Sequence, residues 1–178
     1  AAQGQTAFIL STITEINGKP VEIYQPVSAP NALPSEPTQT LYLYDGKRAN
    51  FDGCKYLEWL APVRKGQRCC IIAPPKTGKS RLLQAMAQGA LALNENTVCL
   101  ALLVDQPLES VGVFARFIPQ DNLIYTTYDD EADRQLFLAE FALNRARRLA
   151  ASGKDVVLFV DSFNGIAKAF NDTDRSVG

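Results

Sequence analysis

The sequence predicts an α/β protein with a parallel β-sheet flanked by helices. Val98–Val104 and Val156–Val160 are continuous apolar runs, and such runs are typical of strands that are buried on both faces. Longer segments with apolar residues at helical spacing alternate with these runs, and Lys79–Leu93 is the clearest of them. This alternation favours parallel pairing, because parallel strands need long crossover connections.

From residue 63 onward, the expected elements alternate between strand and helix. The expected strands are Cys69–Ile72, Val98–Val104, Leu123–Thr127 and Val156–Val160, and the expected helices are Lys79–Leu93, Leu108–Phe117, Glu131–Ala150 and Phe163–Phe170. In this interpretation the four strands form one parallel sheet. A short polar stretch follows the last helix, so we expect the α/β unit to be incomplete at its carboxyl end.

Three zones are expected along the chain. Residues 1–24 predict a β-hairpin, because Asn17-Gly18 separates two runs rich in β-branched residues. Residues 25–60 form a proline-rich linker and connector, which includes a short alternating strand at Thr40–Tyr44 and a loop up to about Pro62. Residues 61–178 form the α/β unit.

Composition excludes several classes of protein. Hydrophobic residues make up 47% of the 178 and the formal net charge is −1, so we expect a folded core and no overall basic field for nucleic acid. Histidine is absent and no Cys-x-x-Cys occurs, which argues against zinc. We expect the four cysteines, Cys54, Cys69, Cys70 and Cys99, to be buried reduced thiols. With no long apolar run and no signal peptide, we expect a soluble cytoplasmic protein.

A phosphate-binding motif stands between the first expected strand and its helix. Ala73–Ser80 reads Ala-Pro-Pro-Lys-Thr-Gly-Lys-Ser and fits the P-loop pattern, except that Ala73 replaces the first glycine. Gly78 lets the backbone approach phosphate closely, Lys79 neutralises phosphate charge, and the Ser80 hydroxyl is a Mg²⁺ ligand. The expected nucleotide-binding residues are Pro75, Lys76, Thr77, Gly78, Lys79, Ser80 and Arg81. The motif and its context predict a RecA-like P-loop NTPase core.

Two acidic residues end expected strands, where ligands of parallel sheets bind. Asp161 follows Val156–Val160 and is predicted to hold Mg²⁺ together with Ser80, although it could instead cap the next helix. Asp105 follows Val98–Val104, and Gln106 comes next. A carboxylate there would polarise the attacking water, whereas an amide can only orient it. The alternative for Asp105-Gln106-Pro107 is a simple turn.

The motifs resemble those of the bacterial transcription termination factor Rho family. The P-loop form Ala-Pro-Pro-Lys-x-Gly-Lys, with alanine first, is fairly specific to that family. The resemblance is carried by Ala61–Arg68, Ile72–Ser80, Leu102–Asp105, Thr127–Asp129, Lys154–Val157 and Asp161-Ser162. Phe8–Glu22 also resembles the closing strands of the family's RNA-binding OB domain, so residues 1–24 are interpreted as a remnant of it.

The resemblance implies a RecA-like domain of a hexameric, RNA-dependent ATPase and helicase that ends transcription. ATP and Mg²⁺ are the implied cofactors, and RNA, further copies of the chain in a ring and RNA polymerase are the implied partners, with no membrane. Lys76, Lys79 and Ser80 match the family's phosphate and Mg²⁺ positions, and Asp161 matches its Walker B aspartate.

The sequence departs from the family at the expected catalytic position. Gln106 stands where the family has a catalytic glutamate, and Gly165 lies in a segment where the family has an arginine. Two hypotheses therefore stay open: part of an ATP-driven RNA translocase, or a nucleotide-binding regulatory module without hydrolysis. A RecA-like ATPase that serves a protein partner is a third, weaker hypothesis.

Other clusters are expected to be structural. The arginines near the end of the long expected helix are predicted to be solvated and to complement its carboxyl end. The aromatic residues of the connector and Trp59 are predicted to pack rather than to stack on bases. The residues concerned are Arg145, Arg147, Arg148, Tyr42, Tyr44, Phe51, Tyr56 and Trp59 with Leu57 and Leu60.

Overall fold

The computed structural model describes residues 12–16, 19–21, 39–44 and 53–176. The strands are β1 (Glu15–Ile16), β2 (Lys19–Pro20), β3 (Thr97–Leu103), β4 (Leu123–Tyr125) and β5 (Asp155–Asp161). The helices are α1 (Gly53–Leu60), α2 (Lys79–Leu93), α3 (Leu108–Phe114), α4 (Ala132–Ala151) and α5 (Phe163–Ser176). No helix in these ranges is long and apolar enough to cross a membrane.

The main sheet has three parallel strands in the order β4-β3-β5. β3 is paired along both edges, with Leu102 opposite Ile124 on one side and Val160 on the other. The parallel α/β architecture expected from the apolar runs is confirmed. The bounds of α2 match the expectation, the bounds of β3, β5 and α4 and the end of β4 shift by one or two residues, α3 ends three residues early, and α5 continues to Ser176.

Alternate residues of β3 supply two separate cores, one on each face of the sheet. On the first face, α2 and α3 pack against the strand. That core includes Cys99, Ala101 and Leu103 of β3, Met86, Ala87 and Ala90 of α2, and Val111 and Phe114 of α3. On the second face, Leu102 and Val104 pack with Ala142 of α4 and Ile166 of α5. Helices therefore cover both faces, which explains why β3 reads as an uninterrupted apolar run.

The expected strand at Cys69–Ile72 is a wrong prediction. The segment forms no β-pairing in the described chain, so the main sheet there has three strands and not four. Cys69 and Cys70 are exposed, and Ile72 is 90% exposed. An apolar run becomes a strand only when a neighbour satisfies its backbone hydrogen bonds, and this run has no such neighbour among the described residues.

The thiols fall into two classes, so the expectation of four buried cysteines is also wrong. Cys54 and Cys99 are buried, whereas Cys69 and Cys70 are exposed. Burial raises the pKa of Cys99 to about 12. Burial, with a smaller contribution from the Glu58 carboxylate, raises the pKa of Cys54 to about 11. Both buried groups therefore stay protonated, and are poor nucleophiles, at neutral pH.

The amino-terminal zones are described only in part. β1 and β2 pair antiparallel, with Ile16 opposite Lys19. The expected turn at Asn17-Gly18 and most of the proline-rich linker lie outside the described residues. The expected strand Thr40–Tyr44 makes one antiparallel bridge, from Thr40 to Arg64. Within it Leu41 and Leu43 are buried in the first core.

Helix α1 occupies a stretch that the sequence reading left as loop. Its Glu58 carboxylate accepts hydrogen bonds from the amides of Leu43 and Tyr44, the latter at 2.8 Å, and thereby ties the connector to the helix. Trp59 and Leu60 do not pack as expected, since they are 71% and 83% exposed. Their helix presents its opposite side, with Cys54 and Leu57, to the core.

At Gly89, helix α2 lies against the backbone of Leu43 in the connector. A substitution at Gly89 therefore tests this packing. A Cβ there would lie 2.7 Å from the carbonyl carbon of Leu43 and closer still to its oxygen. Although alanine normally stabilises a helix by up to about 1 kcal/mol relative to glycine, we expect Gly89→Ala to lower the unfolding free energy by about 1–3 kcal/mol through overpacking. Urea denaturation measures the change.

Gly112 of α3 provides the matched control. A Cβ at Gly112 meets nothing within 4 Å, so Gly112→Ala should leave the unfolding free energy unchanged or raise it. Equal effects of the two substitutions would contradict the proposed contact between α2 and the connector.

Candidate nucleotide-binding site

The P-loop residues form an irregular turn that leads into α2. Lys76 and Gly78 both have positive φ, at 61° and 94°. Gly78 is the N-cap of α2, and no side chain caps the helix there. A left-handed residue at this position strongly favours glycine, which explains why the second glycine of the motif is present even though Ala73 replaces the first.

The amino end of α2 is an anion-binding arrangement. The first intrahelical hydrogen bond runs from the Leu82 amide to the Gly78 carbonyl, at 2.9 Å. The amides of Lys79 and Ser80 come before it and have no carbonyl partner within the helix. The space beside Gly78 is open, because an added Cβ would meet nothing within 4 Å. Amides and helix dipole together favour a phosphate group there.

The Lys79 ammonium lies over the loop itself. Its Nζ donates to the carbonyl oxygens of Ala73 and Pro74, at 2.9 and 2.8 Å. The Thr77 hydroxyl donates to the same Pro74 oxygen, at 2.7 Å. Pro74 and Pro75 have no N–H, so this side of the loop presents acceptors to the lysine. The contacts hold the positive charge of Lys79 on the loop that precedes α2.

Asp161 is buried at the carboxyl end of β5. Only 8% of it is exposed, and its carbonyl accepts a hydrogen bond from the Val104 amide at 2.8 Å. Ser162, and not Asp161, caps the start of α5, because the Ser162 hydroxyl and carbonyl accept hydrogen bonds from the Gly165 amide. The Asp161–Ser162 peptide is cis. The Asp161 carboxylate thus lies at the sheet edge where ligands bind.

Asp105 occupies a constrained position after β3. Its φ is 58°, and its amide donates to the Thr126 hydroxyl at 3.2 Å. One carboxylate oxygen pairs with the Lys168 ammonium of α5 at 3.1 Å. The other, Oδ1, is buried and has no hydrogen-bond partner among the described residues. Such a buried acceptor is an unusual feature away from functional sites.

Gly165 allows α5 to approach this turn. A Cβ at Gly165 would lie 2.7 Å from the Val104 carbonyl oxygen and 3.1 Å from the Asp105 Cβ. The arginine that the resemblance places in this segment has no room at Gly165. The close approach also brings Lys168, one helical turn later, within reach of Asp105.

Gln106 is held partly by the backbone of the turn. Its amide donates to the Thr126 carbonyl at 3.1 Å, and its side-chain Nε2 lies 3.4 Å from the Val104 carbonyl oxygen. Asp105 and Gln106 therefore lie in a hydrogen-bonded segment between β3 and α3. Asp105 and Gln106 lie at the same edge of the sheet as Asp161, because β3 and β5 are adjacent and parallel.

Three residues of this region were missed by the sequence reading. Thr126, Gly165 and Lys168 contact the Asp105 turn, but they come from two other elements. The sequence around a threonine that follows a strand, or around a lysine on a helix, does not indicate that the residue contacts a distant turn.

The arginine cluster differs in part from the expectation. The Arg145 guanidinium donates to Asn122 at 3.0 Å, while Arg147 and Arg148 are exposed as expected.

The residues present fit a nucleotide-bound magnesium better than a protein-held metal. No group of three or more His, Cys, Asp or Glu in the described ranges could hold a metal ion. Magnesium typically takes one or two protein ligands and completes its shell with substrate phosphates and water. The Asp161 carboxylate and the Ser80 hydroxyl beside the amides of α2 suit that donor set.

The chain matches the ATP synthase alpha/beta family, nucleotide-binding domain, over residues 53–178. The chain therefore belongs to this family and is a nucleotide-binding domain of the ATPase type.

Among sequences, the chain is 32% identical over 171 residues to the transcription termination factor Rho of Chromobacterium violaceum, an alignment that covers 94% of this chain. It is 31% identical to that of Salmonella typhimurium over 95% of this chain. The chain spans 40% and 41% of the length of these two relatives.

Among solved structures, the assembled ATPase EscN of the enteropathogenic Escherichia coli type III secretion system is similar, with a TM-score of 0.68 and 27% identity. That match covers 90% of this chain and 40% of EscN. A prototypical type III secretion ATPase matches 70% of this chain and 36% of its own length, with a TM-score of 0.62 and 28% identity.

The Asp105 turn depends on one buried hydroxyl, which gives a direct test. Thr126 is 0% exposed and accepts from the Asp105 amide. We expect Thr126→Val, which keeps the shape and removes the acceptor, to lower the unfolding free energy by about 1–3 kcal/mol. Thr126→Ser keeps the hydroxyl and should cost less. A greater loss in the serine variant, measured by urea denaturation, would show that the methyl group matters more than the hydrogen bond.

Proposed function

We propose that the chain is the ATP-binding portion of a Rho-like, RNA-dependent ATPase and helicase that acts in transcription termination. The observation that carries the proposal is the P-loop itself, in which the Lys79 ammonium lies on the loop carbonyls and α2 begins directly after Gly78 with no side-chain cap. Asp161, buried at the carboxyl end of β5, supplies the acidic group that such sites use for magnesium.

The Rho relatives and the loop sequence support this assignment within the family. The alignments to Rho cover nearly all of this chain, and the loop reads Ala-Pro-Pro-Lys-Thr-Gly-Lys-Ser, the form with alanine first. Because the chain spans about two fifths of those relatives, RNA, RNA polymerase and a homo-oligomeric ring are proposed as partners of the larger assembly.

Each residue of the site has a separate task in this proposal. The amides of α2 and the residues Pro75–Arg81 surround the triphosphate, and Lys79 exchanges its loop carbonyls for phosphate oxygens as it neutralises their charge. Ser80 and Asp161 hold magnesium. When bound, the metal supplies a positive charge that stabilises the transferring phosphoryl group.

Hydrolysis depends on the end of β3. Asp105 and Gln106 are the proposed catalytic residues, with Gln106 at the position of the expected glutamate. An amide can orient water but cannot accept its proton, and the Asp105 carboxylate is engaged by Lys168. This favours an alternative in which the chain binds ATP and regulates a partner without turning ATP over.

A second candidate is an ATPase that drives a protein partner. The similarity to type III secretion ATPases at 27% and 28% identity is the specific observation that favours it. The effect of RNA on ATP turnover distinguishes the two candidate functions. Turnover by a Rho-like enzyme rises with RNA, and turnover by an ATPase that serves a protein partner does not.

Lys79→Ala tests the nucleotide site. We expect Mg-ATP binding to be lost, or weakened by at least about tenfold, because the substitution removes the charge that offsets the phosphates. Isothermal calorimetry of this chain beside the variant measures the change. The control is Lys154→Ala, a lysine in the exposed turn between α4 and β5, which should bind as the parent does. Retained affinity in Lys79→Ala would refute the P-loop assignment.

Gln106→Glu tests the catalytic position. If the missing carboxylate limits hydrolysis, the glutamate should raise phosphate release by roughly 10², measured with Mg-ATP in the presence and absence of RNA. Gln106→Asn, which keeps an amide, is the control and should not raise it. An unchanged rate in the glutamate variant would favour the module without hydrolysis.

A further inference from the structure

The Asp105 carboxylate is enclosed at both of its oxygens. Oδ1 is buried and has no hydrogen-bond partner among the described residues, and Oδ2 lies 3.1 Å from the Lys168 ammonium. Only 14% of the side chain is exposed. A buried acceptor without a hydrogen bond costs free energy, and a catalytic role is one of the reasons why native proteins keep such a group. In this arrangement neither oxygen is open to a water molecule at the sheet edge.

Backbone contacts hold Asp105 in place independently of its side chain. Its φ is 58°, and its amide donates to the Thr126 hydroxyl at 3.2 Å. The Val104 amide, one residue earlier, donates to the Asp161 carbonyl at 2.8 Å. A residue other than glycine with positive φ costs energy, and such residues cluster at active sites. The carboxylate therefore stays at the carboxyl edge of the sheet, beside the strand that ends in Asp161.

The Lys168 side chain reaches Asp105 from the outside of the fold. It is 61% exposed and belongs to neither core. It lines an open pocket on α5 together with Asp172, which lies four residues later in the helix. Residues four apart in a helix are neighbours, so Asp172 offers the ammonium a second carboxylate. An ion pair with so exposed a lysine is weak, so the ammonium can leave Asp105 at little cost.

The ion pair forms because Gly165 lets α5 lie close to the Asp105 turn. A Cβ at Gly165 would lie 3.1 Å from the Asp105 Cβ, so a larger residue there would push the helix, and Lys168 with it, away from the turn. The resemblance to Rho places an arginine in this segment and a glutamate at Gln106. Both departures from that family therefore concern one turn, in which the glutamate is missing and the neighbouring carboxylate is paired with a lysine.

We propose that Asp105 is the carboxylate that activates water in this chain, in the place of the missing glutamate, and that Lys168 is a positioning residue that keeps it inactive while the ion pair is closed. This role rests on the proposed ATPase function. When the ammonium moves to solvent or to Asp172, Oδ2 of Asp105 is open to a water molecule that Gln106 orients. The water oxygen then bonds to the γ-phosphorus, Asp105 accepts one water proton, and the bond from that phosphorus to the β–γ bridging oxygen breaks, so that ADP and inorganic phosphate leave.

Lys168→Met tests whether the ammonium restrains turnover. The substitution keeps an unbranched side chain and removes the charge. We expect phosphate release from Mg-ATP by this chain to rise about fivefold, because an exposed ion pair is closed in about five of six molecules at most. Lys168→Arg, which restores the charge, should bring the rate back to that of the parent. Lys168→Gln replaces Lys168→Met if the methionine variant fails to fold.

Two further variants separate this role from a general loss of an ion pair. Asp105→Asn, which the left-handed backbone tolerates, should abolish the rise when it is added to Lys168→Met, because an amide cannot accept the water proton. Lys65→Met is the matched control. It removes the ion pair with Asp155, at 2.6 Å, from the amino end of β5 and thus from the opposite edge of the sheet. It should leave phosphate release unchanged.

Carboxylate labelling reports on the ion pair without nucleotide. A water-soluble carbodiimide activates carboxylates, which then couple to an added amine or to an adjacent lysine, and mass spectrometry locates the products. In the parent chain we expect Asp105 to couple directly to Lys168. In Lys168→Met, coupling of Asp105 to the added amine should rise by about fivefold, since the ammonium no longer covers Oδ2. Glu140, which is exposed on α4, should couple equally in both chains and is the internal reference.

Three results would overturn the proposal. The first is phosphate release by Lys168→Met that is no higher than that of the parent, including none in either chain. The second is a rise that persists with Asp105→Asn or that Lys65→Met reproduces. The third is equal amine coupling of Asp105 in the parent and in Lys168→Met. A failure of the nucleotide site is seen separately, as absent Mg-ATP binding by the parent in calorimetry, and it does not affect the labelling result.

Discussion

The pairing of β3 along both of its edges is the constraint on which the remaining structure depends. It joins β4 and β5 in parallel register and supplies apolar side chains to both cores. Since its two neighbours run in the same direction, the residues that follow β3 and β5 meet at one edge of the sheet. Asp105, Gln106 and Asp161 are neighbours for that reason, although more than fifty residues separate the first from the last.

The Asp105 turn shows how several elements build one feature of the site. Thr126 follows β4 and supplies an acceptor for the turn, whereas Gly165 and Lys168 come from α5. A residue with positive φ costs energy unless its surroundings hold it. The contacts from β4 and α5 provide that support, and they leave one buried oxygen of the Asp105 carboxylate without a hydrogen-bond partner among the described residues.

The P-loop is organised differently from the acidic residues. Its internal hydrogen bonds, from Lys79 and Thr77 to the loop carbonyls, and the helix that follows it define its shape. The segment before it, Cys69–Ile72, makes no β-pairing among the described residues. Local hydrogen bonds and the packing of α2 therefore position the phosphate-binding residues.

The sequence by itself determined what local physics controls. Continuous apolar runs indicated the strands β3 and β5, and helical spacing indicated α2 and α4. The P-loop signature and the acidic residues at strand ends indicated the phosphate-binding and magnesium residues, and their roles are still predictions. Only the tertiary structure decided that Cys69–Ile72 pairs with no described strand, that Trp59 is exposed, and that Thr126, Gly165 and Lys168 contact the Asp105 turn. Strand pairing and side-chain contacts depend on neighbours that are distant in sequence. The local sequence pattern around a residue does not indicate whether such a neighbour is present.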